Sequence, residues 1–96
     1  MNKQDIIDSL KPQRENLRNL GVASLRLFGS AARGEAGPDS DADFLVRFQD
    51  TPTYDHYIDL KQLLEEALGM RVDLVTEEAL RPAMLKNVER DAILVA

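Results

Sequence analysis

Three aspartates, Asp39, Asp41 and Asp43, occupy alternate positions just before the apolar run at residues 44–46. Side chains alternate between the faces of a strand, so Asp41 and Asp43 are predicted to project to one side, about 7 Å apart along the backbone. Two such carboxylates repel each other unless a cation neutralises them, and Mg²⁺ prefers oxygen ligands. We therefore expect Asp41 and Asp43 to bind a metal, and Asp39, which follows Pro38, to be a turn residue.

A further carboxylate, Asp73, lies in a second apolar segment, between Val72 and Leu74. If this segment is a strand beside the strand of Asp43, alternation brings Asp73 into the same cluster. Three carboxylates on one sheet face can hold two Mg²⁺ ions, which together stabilise the attacking and leaving oxygens of phosphoryl transfer. Asp41, Asp43 and Asp73 are therefore the predicted metal-binding and catalytic residues.

The Gly29-Ser30 step precedes these acids and follows an apolar segment. Glycine lets the backbone approach an anion, and a serine offers a hydroxyl and an amide. A helix that begins here would direct its positive end at a phosphate. We predict that Gly29 and Ser30 form the phosphate-binding end of the site. Arg33 is a secondary candidate, equally suited to a salt bridge with one of the neighbouring acids.

Two familiar phosphate-binding and metal-binding loops fit this stretch poorly. Gly29 and Gly34 satisfy the first half of a P-loop, but Glu35 and Ala36 stand in place of its lysine and its hydroxyl residue. The three aspartates match the first ligand positions of an EF-hand loop, yet Phe44 stands where that loop needs glycine for its sharp turn.

Hydrophobic periodicity predicts the elements that must position these residues. Helices are predicted over 3–20 with a break near Pro12, over 53–69 with a stop at Gly69, and from Pro82 to about Arg90. Strands are predicted over 22–28, 43–48, 71–76 and 93–95. This order predicts an α/β or α+β fold, with a small β-sheet flanked by helices.

Four side chains outside the motif carry smaller predictions. In the first strand, polar Ser24 should alternate with the apolar residues on either side of it. Tyr54 and Tyr57 are predicted to pack against the core, and the lone His56 is predicted to lie at the surface.

Composition limits the classes of protein that this chain can be. Its 96 residues are 44% hydrophobic, which suits one domain over 1–96. The net charge is −5 and no segment mixes Lys and Arg with aromatics, so direct binding of nucleic acid is not expected. No apolar run could span a bilayer, and a cytoplasmic protein without membrane contact is predicted. Without cysteine, any metal must bind through oxygen or His56.

The spacing of the motif resembles a known signature. Gly29-Ser30, ten intervening residues, Asp41-x-Asp43 and the distal Asp73 resemble the nucleotidyltransferase superfamily that includes DNA polymerase beta. The stretches "NKQDIIDSL", "LFGSAARGEAGPDSDADFLV" and "VDLVTEEAL" resemble its minimal members, the MNT antitoxins that act beside HEPN ribonuclease toxins. The resemblance covers essentially the whole chain.

This resemblance implies a nucleotidyltransferase fold and a protein adenylyltransferase. Asp41 and Asp43 would bind both Mg²⁺ ions, and Asp73 would bind the ion nearer the acceptor hydroxyl. Gly29 and Ser30 would hold the triphosphate of ATP. AMP would pass to a hydroxyl, expected to be that of a tyrosine, on a HEPN toxin with which the chain assembles. The alternative is a non-catalytic antitoxin that neutralises the toxin by binding it.

Overall fold

The computed structural model describes residues 3–29, 41–50 and 53–95. The predicted order of helices and strands is confirmed within these ranges. The helices are α1 (Lys3–Leu10), α2 (Arg14–Asn19), α3 (Tyr54–Leu68) and α4 (Pro82–Asp91), and the strands are β1 (Val22–Phe28), β2 (Ala42–Phe48), β3 (Val72–Thr76) and β4 (Ile93–Leu94). Short 3₁₀ turns cover Lys11–Gln13 and Glu77–Ala79. None of the helices in the described ranges has the length and apolar character needed to cross a membrane.

The first helical segment breaks at Pro12, as predicted. Proline has no backbone N–H and cannot continue the hydrogen-bond ladder of α1. The break takes the form of a 3₁₀ turn that contains Pro12, so α2 begins at Arg14 rather than at the proline. Leu10 and Leu17, on either side of the turn, are both buried, which shows that the two helices face the same core.

The four strands form one mixed sheet in the order β3-β2-β1-β4. β1 is antiparallel to both β2 and β4, whereas β2 and β3 are parallel. Parallel neighbours need a crossover connection, which α3 supplies here. The starts of β2 and β3 therefore lie at the same end of the sheet, beside the end of β1.

One face of the sheet forms the main core with α1, α2 and α3. On α3 the buried residues are Leu60, Leu64 and Leu68, which confirms the predicted apolar stripe. They pack with buried strand residues: Leu25, Leu27, Ala42, Phe44, Val46, Val72 and Leu74. Burial of each large apolar side chain contributes about 1.5–3 kcal/mol. The intervening strand positions, which include Asp43 and Asp73, lie on the opposite face.

A bulge near the start of β1 changes the predicted alternation. Val22 is opposite Phe48, yet Ser24 is opposite Arg47, so β1 contains one extra residue at this point. Ala23 is exposed and Ser24 is buried, so the prediction that Ser24 alternates with apolar neighbours was wrong here. The alternation is regular from Leu25 onward.

Two side chains of helix α3 form hydrogen bonds with the backbone at the outer edge of β3. The Tyr57 hydroxyl donates a hydrogen bond to the carbonyl oxygen of Leu74, and the Val72 N–H donates to Glu65 Oε2 at 3.2 Å. Without these partners the backbone groups on this edge of the sheet would rely on water. The predicted packing of Tyr57 is confirmed.

The first turn of α3 lies at the surface. Thr53 caps the helix, because its hydroxyl oxygen accepts a hydrogen bond from the His56 N–H. His56 is exposed, as predicted. Tyr54 is 78% exposed and does not pack against the core, so that prediction was wrong. Tyr54 lies on the solvent side of the turn, whereas Tyr57 lies on the sheet side.

Candidate active site

Asp43 lies between two strands and next to a second acid. It is the register partner of Phe28 on β1 and of Asp73 on β3. Adjacent strands are about 4.8 Å apart, and register partners share a sheet face, so the Asp43 and Asp73 side chains lie side by side. Asp43 is half-buried and Asp73 is exposed. We predicted that Asp73 would lie beside Asp43 if their strands were neighbours, and the two strands are neighbours.

Gly29 closes over the Asp43 carboxylate. The Gly29 φ angle is +74°, a left-handed conformation that other residues rarely adopt. A Cβ atom at this position would overlap Asp43 Oδ2 and would lie 3.3 Å from Asp43 Cγ. The close approach of this backbone to the carboxylate thus requires glycine for two independent reasons.

Asp41 has a different neighbour. Its Oδ1 atom lies 3.2 Å from Nε of Arg71, the residue just before β3. The Ala42 N–H also donates to the Arg71 carbonyl oxygen at 3.0 Å. The ion pair and the backbone hydrogen bond together join the starts of the two parallel strands. Both side chains are largely open to water, at 45% exposure for Asp41 and 78% for Arg71.

The predicted site residues are thus brought together only in part. Gly29, Asp43 and Asp73 meet at one end of the sheet, and Asp41 pairs with Arg71 at the same end. Within 3–29, 41–50 and 53–95, no three acidic or histidine side chains are grouped closely enough to hold one metal ion. Ser30, Arg33 and the predicted turn residue Asp39 lie outside the described residues.

The donor atoms at this end of the sheet suit a hard cation. Asp43 and Asp73 present carboxylate oxygens from adjacent strands, and the chain has no cysteine to favour a soft metal. Gly29 has no side chain, so the Asp43 carboxylate packs directly against its backbone. A hard cation bound by these carboxylate oxygens could in turn bind a phosphate group.

Arg71 is the residue that sequence reasoning missed. The signal was available, because Arg71 directly precedes Val72 just as Asp41 directly precedes Ala42. Those two following residues are register partners in the parallel pair. Only knowledge of the register converts this positional match into a prediction of contact.

The chain matches known proteins over nearly all of its length. A family model described as a nucleotidyltransferase domain matches residues 10–95. The protein adenylyltransferase MntA of Thermococcus cleftensis is 40% identical over 93 residues, which cover 96% of this chain and 94% of that protein. The chain belongs to the nucleotidyltransferase domain family.

Solved structures agree with this assignment. A chain provisionally named as a minimal nucleotidyltransferase superposes with a TM-score of 0.86 at 39% identity, covering 97% of this chain and 95% of its own. A toxin-antitoxin structure with AMP-PNP gives a TM-score of 0.70 at 26% identity, covering 100% of this chain and 73% of its own. The predicted nucleotidyltransferase fold is confirmed.

Proposed function

We propose that the protein is an antitoxin-type adenylyltransferase that transfers AMP from ATP to a hydroxyl, expected to be that of a tyrosine, on a HEPN ribonuclease toxin. Its similarity to MntA along 96% of the chain supports the reaction, and the toxin-antitoxin structure with AMP-PNP supports the partner and the donor. The observation that carries the proposal is the meeting of Gly29, Asp43 and Asp73 at one end of the sheet.

Asp43, Asp73 and Asp41 are the residues that would hold Mg²⁺, and the resemblance to the nucleotidyltransferase signature implies two such ions. When bound, such ions neutralise phosphate charge and stabilise the charge that develops during phosphoryl transfer. Gly29 allows a phosphate to approach the backbone next to Asp43. Ser30 remains a proposed phosphate-binding residue.

The reaction itself needs positioning more than covalent chemistry by the protein. The acceptor oxygen attacks the α-phosphorus of ATP, the bond from that phosphorus to the bridging oxygen breaks, and pyrophosphate leaves. Asp73 is exposed whereas Asp43 is half-buried, so Asp73 is the carboxylate more open to an incoming acceptor. We assign to Asp73 the removal of the proton from the acceptor hydroxyl.

The product explains how such a reaction would silence a ribonuclease. An adenylyl group adds bulk and a negative charge to the toxin. A surface that must receive RNA phosphates binds them less well once it carries a negative charge. Both the ATP and the RNA that this scheme needs are cytoplasmic, and we place the reaction there.

The test is a transfer assay with α-labelled ATP, Mg²⁺ and the partner protein that co-purifies with this chain from its native cell. Label should appear on the toxin, and the Asp41→Asn, Asp43→Asn double variant should abolish it. The matched control is the Asp55→Asn, Asp59→Asn double variant, which removes two exposed acids on α3 and should label normally.

An unlabelled toxin that is nevertheless inhibited would replace this proposal by the non-catalytic antitoxin. Labelling by the Asp41, Asp43 double variant at the parental rate would instead show that the site is misassigned.

A further inference from the structure

The Asp41–Arg71 ion pair is the feature of this site that the proposed reaction does not use. We propose that Arg71 is an exchangeable counter-ion. It pairs with Asp41 in the metal-free protein and releases Asp41 when a divalent cation binds. Arg71 then binds a phosphate of the nucleotide. Arg71 is thereby a positioning residue for Asp41 and a binding residue for the nucleoside triphosphate. This inference rests on the proposed function, since it takes Asp41 as a metal-binding residue.

The backbone brings Arg71 and Asp41 together. Each is the residue before a parallel strand, and the residues that follow them, Val72 and Ala42, are register partners. The Ala42 N–H donates to the Arg71 carbonyl oxygen, which fixes the separation of the two backbones. The approach of Arg71 Nε to Asp41 Oδ1, at 3.2 Å, therefore follows from the register rather than from a long side chain reaching across the surface.

The pair is suited to exchange because it is weak. The Arg71 side chain is 78% exposed and the Asp41 side chain is 45% exposed, so water screens their attraction. A divalent cation carries twice the charge of a guanidinium and attracts the same carboxylate more strongly at equal distance. It also repels Arg71, whereas the triphosphate attracts it.

The exchange accounts for the grouping of Asp41 with Arg71 rather than with the other two predicted ligands. No group of three acids is assembled within the described ranges, and Asp41 is engaged with Arg71 instead. Release of Asp41 would add a third carboxylate to the Asp43–Asp73 pair. Arg71 would then lower the affinity of the site for the cation and raise its affinity for the nucleotide.

These opposite effects of Arg71 on the two affinities can be measured. Removal of Arg71 should tighten the binding of a divalent cation alone, because the competing charge is gone. It should weaken the binding of nucleotide, because one phosphate contact is lost. A residue that merely supports the fold would weaken both or change neither.

The experiment compares the parent with Arg71→Gln and with the control Arg47→Gln. Arg47 is exposed and lies six residues beyond Asp41 along β2, about 20 Å away, so the control removes the same charge far from the site. Mn²⁺ is the metal probe, followed by its electron paramagnetic resonance signal in the absence of nucleotide. Calorimetry with a non-hydrolysable ATP analogue and saturating Mn²⁺ measures nucleotide affinity.

We expect Arg71→Gln to bind Mn²⁺ about three- to fivefold more tightly and the ATP analogue more weakly by a similar factor. Arg71→Lys should restore much of the nucleotide affinity, because it keeps the charge. The inference is overturned if Arg71→Gln binds Mn²⁺ no more tightly than the parent, or if Arg47→Gln shows the same changes.

Asp43→Asn separates failure of the inference from failure of the proposed site. If the parent binds Mn²⁺ and Asp43→Asn does not, the metal site stands whatever Arg71→Gln shows. If the parent binds no Mn²⁺ at millimolar concentration, the proposed metal site and the role of Arg71 fall together.

Discussion

Replacement of Gly29 by alanine should damage catalysis far more than it damages the fold. The new Cβ atom would overlap Asp43 Oδ2 and would lie 3.3 Å from Asp43 Cγ. Asp43 would have to turn away from this position, and its carboxylate would leave its place beside Asp73. Since Asp43 is only half-buried, the displaced carboxylate can reach water.

The backbone sets most of the stability cost. Gly29 has a φ angle of +74°, and an L-residue held in the left-handed region costs roughly 1–2 kcal/mol. For a domain of this size that corresponds to a fall in Tm of about 4–15 °C. A displacement of about 1 Å at a reacting centre can cost about 100-fold in rate, so the loss of AMP transfer should be of that order.

Gly69→Ala is the matched control. Gly69 ends α3 with a φ angle of +65°, and a Cβ atom there would meet nothing within 4 Å. The two variants should therefore lose similar stability in thermal unfolding followed by circular dichroism. Only Gly29→Ala should lose transfer of labelled AMP. If Gly29→Ala transfers AMP as fast as Gly69→Ala, the close approach to Asp43 has no part in the site and the reasoning is refuted.

Two further predictions concern strand β3. Tyr57→Phe removes the hydrogen bond to the Leu74 carbonyl and should lower the free energy of unfolding by about 1 kcal/mol, whereas Tyr54→Phe, at an exposed position, should leave the thermal transition nearly unchanged. In a thermal-shift series, Mg²⁺ should raise the Tm of the parent through linkage and raise that of Asp73→Asn much less. An equal shift in both proteins would show that Asp73 does not bind the metal.

Local patterns in the sequence predicted the elements well because their causes are local. The strand over 22–28 and the helix that ends at Gly69 follow from apolar spacing and from the glycine stop, and both are found as predicted. The extra residue at the start of β1 and the exposure of Tyr54 could not be predicted in this way. Each depends on what lies opposite in the folded chain, which spacing alone does not reveal.

In the candidate site, too, the features with local causes could be predicted and those that depend on strand pairing could not. Alternation places Asp43 on the face opposite the main core, but its contact with Asp73 depends on the adjacency of β2 and β3, which the sequence left as a condition. The Asp41–Arg71 pair depends on their exact register, and it was missed for that reason. Ser30, which belongs to the motif, and Arg33, a secondary candidate, stay predictions because they lie outside the described residues.

The site keeps two like charges side by side, and hydrogen bonds from α3 support the strand that carries Asp73. Two carboxylates about 5 Å apart repel by about 1 kcal/mol in water and by about 3 kcal/mol near a protein surface. Among the described strands, β3 is an edge strand with β2 as its neighbour, so this repulsion acts on a strand that is paired on one side. The hydrogen bonds from Tyr57 and to Glu65 contribute about 0.5–1.5 kcal/mol each, so together they are of the same size as this repulsion.

A divalent cation between Asp43 and Asp73 would change this balance from repulsion to attraction. The two hydrogen bonds between α3 and β3 would then contribute more to the free energy of unfolding in the metal-free protein than in the metal-bound protein. Tyr57→Phe should accordingly lose less stability in saturating Mg²⁺ than in its absence. If its loss is the same in both conditions, the hydrogen bonds from α3 and the repulsion at the site are energetically independent.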